Sequence, residues 1–67
     1  MLSIEQVRKL ETKEELLSEL KERIRVRNQM NGALYWNIVN DECMEMAKKC
    51  LGLGADRQEI GKIFNGE

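Results

Sequence analysis

The sequence predicts an all-α fold: a small four-helix bundle with two long antiparallel helices and a short helix at each end, forming a single helical domain over residues 1–67. Three observations carry this expectation. Polar cap residues stand three positions ahead of Glu or Gln at Ser3 with Gln6, Thr12 with Glu15, and Asp56 with Glu59. At that spacing the cap oxygen accepts from an unpaired N–H of the first turn while the Glu or Gln reaches back to the cap. Behind each cap, apolar residues recur at intervals of three and four. The chain also lacks proline, and no run reads as a strand.

The elements follow in order. After Ser3, the residues Ile4, Val7 and Leu10 mark a short helix of about two turns. After Thr12, Leu16, Leu17, Leu20, Ile24 and Met30 keep the helical period, with Glu14, Glu15 and Glu19 early and Lys21, Arg23, Arg25 and Arg27 late. That is the order a helix dipole favours. A third run starts at Ala33 and places Trp36, Val39, Cys43, Met46, Ala47 and Cys50 on one stripe, ending at Gly52, where a left-handed cap is natural. A last helix over Arg57 to Phe64 buries Ile60, Ile63 and Phe64, weakened at Gly61 by about 1 kcal/mol relative to alanine. Leu17, Leu20, Ile24, Leu34 and Ile38 also fit one heptad frame, which would fuse helices two and three into a rod with Arg27 and Asn31 on the seam. The turn signal Asn31-Gly32 favours the hairpin.

Composition narrows the function. A chain of 67 residues with 42% hydrophobic residues sits near the lower limit for folding alone, which makes a partner or a second copy a natural source of added burial. Its 11 basic and 12 acidic residues give a net charge of −1, with no overall pull toward nucleic acid or anionic lipid. No apolar run approaches the roughly 20 residues of a membrane span and no signal peptide is read, so a soluble, cytoplasmic protein is expected.

Catalytic chemistry has few handles. Histidine is absent, which removes Ser-His and Cys-His pairs and the usual ligands of helical metal sites. Cys43 and Cys50 are separated by about 10 Å along a helix axis, too far for a disulfide or a shared zinc ion. They read as small core residues in a reducing compartment. Asp41, Glu42 and Glu45 read as a solvated acidic face. No enzymatic activity, cofactor, metal or small-molecule substrate is expected.

The segment Lys21 to Arg27 holds four bases and one acid. Arg23, Arg25 and Arg27 are therefore candidate anion or nucleic-acid contacts, although a solvated face with intrahelical pairs from Glu19 to Arg23 and from Glu22 to Arg25 explains the same residues. Further along, Ala47, Leu51, Gly54, Ile60 and Ile63, in the stretch Met46 to Phe64, form a pattern that resembles the first two helices of helix-turn-helix domains. The resemblance covers 19 of 67 residues and implies a nucleic-acid-binding regulator. In that family the next helix enters the major groove. Here only Asn65, Gly66 and Glu67 follow, so a recognition helix is expected to be absent, and residues 56 to 67 sum to −1, the wrong sign for phosphates.

The most informative stretch is Leu34-Tyr35-Trp36-Asn37-Ile38-Val39, apolar around most of the helix circumference. Leu34, Tyr35, Trp36, Ile38 and Val39 are the candidate interface, since Tyr and Trp bury large area at low entropic cost. A crowded core centre is the plainer account. The function expected is a small protein-interaction module, a regulator, adaptor or inhibitor of the kind mobile elements such as phages encode, binding a protein partner or forming a homodimer. A helix-turn-helix-like regulator is the alternative.

Overall fold

In the computed structural model, which describes residues 1–66, four helices pack together: α1 (Ile4–Arg8), α2 (Lys13–Asn28), α3 (Ala33–Gly52) and α4 (Arg57–Phe64). No strand occurs among the described residues. The rod is excluded, because a continuous helix over residues 13–52 would run about 60 Å at 1.5 Å per residue, whereas the longest extent of the molecule is 33 Å. The chain turns through residues 29–32, with Gly32 at φ +102°, a conformation only glycine adopts without strain.

All four helices start and stop close to the predicted positions, but their caps differ in detail. Only Ser3 and Gln6 close the full reciprocal box: the Gln6 N–H donates to Ser3 Oγ at 3.2 Å and the Ser3 N–H donates to Gln6 Oε1 at 2.9 Å. Thr12 Oγ1 accepts from the Glu15 N–H at 3.4 Å and its hydroxyl donates to the Glu15 carboxylate at 2.6 Å, so Glu15 binds the cap side chain instead of the cap backbone. Asp56 accepts from the Gln58 N–H at 2.9 Å, and Glu59 takes no part in the cap. The left-handed residue after α3 is Gly54, at φ +95°, not Gly52, which stays helical. Gly54 N–H donates to the Leu51 carbonyl and Ala55 N–H to the Cys50 carbonyl, the bond pair of a Schellman stop. Buried Ala55 and Cys50 supply the apolar contact that accompanies this motif.

Every helix contributes to one core. Val7 comes from α1, Leu16, Leu17, Leu20 and Ile24 from α2, Cys43, Met46, Ala47 and Cys50 from α3, and Ile60 and Ile63 from α4. α2 packs against both α3 and α4, while α1 lies on α3. Polar groups tie the short first helix down: Arg8 pairs with Glu45 at 2.8 Å, and Lys49 Nζ donates to the Arg8 carbonyl at 2.7 Å. Arg8 holds the Glu45 carboxyl below its ordinary range through this hydrogen bond, and Glu45 in turn raises the Arg8 guanidinium. No helix of the described residues is long and apolar enough to cross a membrane.

Candidate interaction surface

The five residues of the predicted interface divide into two groups. Leu34, Tyr35 and Ile38 stand in solvent, 69%, 63% and 50% exposed. Trp36 and Val39 are half-buried, and Val39 packs against the core. The division follows from helix geometry, since a 100° step per residue sends Trp36 and Val39 to the side that also carries Cys43 and Cys50, while Leu34 and Ile38 point away from it. Three large apolar side chains on two successive turns form an exposed patch of the kind soluble monomers use for contact.

The three arginines of α2 also separate. Arg25 is exposed. Arg23 is 3% exposed, its Nη1 donating to Glu42 Oε1 on α3 at 2.8 Å and its Nη2 donating to the Leu2 carbonyl. The expected intrahelical pairs do not form: the ion pairs among the described residues, Arg23 with Glu42 and Arg8 with Glu45, join different helices. Glu19 instead accepts from the Leu2 N–H at 3.4 Å. A solvated basic face is thereby corrected to one exposed arginine, Arg25, beside a buried one, Arg23, and a half-buried one, Arg27. Position decides this, because Arg23 and Arg27 lie on the flank of α2 that faces α3, while Arg25 is turned roughly 200° from Arg23.

Arg27 joins three helices. Its Nη1 donates to Asn40 Oδ1 at 2.9 Å and its Nη2 to the Phe64 carbonyl at 3.2 Å. Its Nε and Nη2 both donate to Asn28 Oδ1, at 3.1 and 2.9 Å. The guanidinium carbon lies 5.0 Å from the centroid of the Trp36 ring and 5.6 Å from that of Phe64, within cation–π range of both. Trp36 is thus seated by Arg27 at the edge of the exposed patch. Sequence reasoning missed this clamp, though a signal existed: Arg27 continues the Leu20–Ile24 stripe, a place where a cation needs partners from another helix.

Cys43 and Cys50 are free thiols inside the core. Burial pushes the Cys43 thiol up to about 11, against the opposing pull of Arg27 and Arg23. Burial raises Cys50 as well. Both are therefore protonated at neutral pH and weakly nucleophilic. Among the described residues no group of three or more Cys, Asp or Glu side chains is gathered to hold a metal ion.

No protein-family model, curated protein or solved structure matches the chain.

Proposed function

We propose that the chain is a small protein-interaction module, a cytoplasmic regulator, adaptor or inhibitor that acts by covering a surface, with the first half of α3 as its contact face and a second copy of the chain as the occupant. The observation that carries this reading is the solvent exposure of Leu34, Tyr35 and Ile38 together. A twofold axis is the simplest way to bury such a patch, because one surface then covers itself. In this reading α2 and α3 are the antiparallel arms of a bundle, a frame supported by the turn at residues 29–32 and the 33 Å length.

Light scattering at micromolar concentration tests it. A dimer is expected, with Leu34→Asp weakening association by about 2 kcal/mol or more, the size of a central anchor. A wild-type chain that stays monomeric throughout that range overturns self-association through this face. The helix-turn-helix-like alternative is the weaker reading, since Arg23 and Arg27 are engaged between helices and, of the three candidate arginines, Arg25 alone is left to meet phosphate. Sub-micromolar duplex binding in a gel shift, lost in Arg25→Ala, would reverse that ranking.

A further inference from the structure

A cleft of about 360 Å³ opens between α2 and the end of α4, on a different surface from the apolar patch of α3. Its volume is in the range of small-molecule sites. Lys21, Arg25 and Asn28 line it from successive turns of α2, and Ile24 and Ile63 line it from the core side. No acidic side chain lines it among the described residues. Lys21 and Arg25 sit one turn apart, a like-charge spacing that is mildly unfavourable when nothing neutralises it. Neither has an ion-pair or hydrogen-bond partner among the described residues, as is true of other exposed cations such as Arg57 and Lys62; what sets these two apart is that they line one cleft.

Asn28 adds a directional element. Its Oδ1 already accepts two bonds from Arg27, so the hydrogen-bonding capacity left to the side chain is its Nδ2 donors. The cleft therefore combines two cations and amide donors, with Ile24 and Ile63, both almost fully buried, adding a small aliphatic surface at its base. Arginine offers a planar fork to a carboxylate or phosphate, and lysine adds a point charge. We propose that this cleft binds a small organic anion: a carboxylate or phosphate headgroup held by Lys21, Arg25 and Asn28, with a short hydrocarbon body against Ile24 and Ile63. The two headgroups share one recognition chemistry, and the test distinguishes them.

Octanoate and octyl phosphate, each below its micellar concentration, would be titrated into the ¹⁵N-labelled full chain, with octanol as the uncharged control. Saturable amide shifts at Lys21, Arg25, Asn28 and Ile63 are expected with at least one anion, and the tighter of the two identifies the preferred headgroup. Arg25→Gln, at an exposed position where circular dichroism can verify an intact fold, should weaken binding about tenfold, the loss of one charge-assisted contact. Lys21→Gln with Arg25→Gln should abolish it. The proposal is overturned by any of four results: no saturable shift with either anion, octanol binding as well as the anions, shifts centred on Leu34 to Ile38, or binding that survives the double substitution. Dimerisation through α3 is read separately and can stand or fall without this site.

Discussion

The two halves of α3 are packed to different depths. Over its first turns no side chain is fully buried, and Leu34, Tyr35 and Ile38 remain in solvent; over its last three Cys43, Met46, Ala47 and Cys50 are buried on the inner side, while Met44 and Leu51 stay exposed on the outer one. Hydrophobicity alone would have ranked the first half as the core. The difference lies in the neighbours. The second half is covered by α2 and by α1, which is tied down through Arg8, Glu45 and Lys49. In the first half, Arg27 reaches Trp36 and Asn40 and the core meets Val39, all on one side of the helix, while Leu34, Tyr35 and Ile38 stand in solvent. Burial belongs to a position among other elements: the small thiols Cys43 and Cys50 are fully buried, while the larger Leu34 is 69% exposed.

The sharpest way to break this comparison is to truncate one residue in each half. Met46→Ala should destabilise the fold by about 2–5 kcal/mol, since Met46 is fully buried and the site can collapse only in part. Leu34→Ala should change monomer stability by less than about 0.5 kcal/mol. Chemical denaturation of the two variants checks both, and equal losses would mean that the first half of α3 is as well packed as the second.

Glu42 stands at the junction of the halves. Glu42→Ala should cost about 2 kcal/mol in the same assay, because it leaves the Arg23 guanidinium buried with the Leu2 carbonyl as its remaining partner. The loss is smaller than for a fully buried pair because the Glu42 side chain is partly open to water. A neutral outcome would show that Arg23 swings out to solvent when unpaired.

Trp36→Leu keeps an apolar side chain but removes the ring beneath Arg27, and should cost about 1 kcal/mol. If Trp36 instead serves only the exposed patch, denaturation will be unchanged and the loss will appear in association. A last effect is pH-dependent and does not show at neutral pH. Cys43 has its folded-state value raised from 9.0 to about 11 by burial, so its contribution to stability is complete below the unfolded-state value and is lost as pH rises through that window. Denaturation midpoints taken across that interval should fall in the wild type and fall less in Cys43→Ala, compared with each variant's own neutral value.

Helix positions were legible because their causes are local. Ser3, Thr12 and Asp56 each announce a start within three residues, the apolar period names the buried stripe, and Asn31-Gly32 announces the break between α2 and α3. Even the errors were short-range: the left-handed stop moved by two residues, from Gly52 to Gly54, because the Schellman bonds need Ala55 as the next buried residue. The candidate surface was legible only in part. An apolar stretch at residues 34–39 was visible in the sequence, but its division into exposed Leu34, Tyr35 and Ile38 and seated Trp36 and Val39 depends on which side α2 approaches.

The arginines mark the boundary most clearly. By composition Arg23, Arg25 and Arg27 are equivalent, and no local rule says that Arg23 pairs with a glutamate 19 residues away or that Arg27 reaches a carbonyl 37 residues away. The sequence by itself determined four helices, the N-cap residues of three of them and the turn between the long pair, because hydrogen bonds within a few residues and a 3.6-residue period decide those. Only the tertiary structure decided which cations become internal, which half of α3 stays uncovered, and that Lys21, Arg25 and Asn28 share a cleft with Ile63. Those outcomes depend on where helices distant in the chain come to rest, and burial and electrostatics act on that arrangement, not on neighbours in sequence.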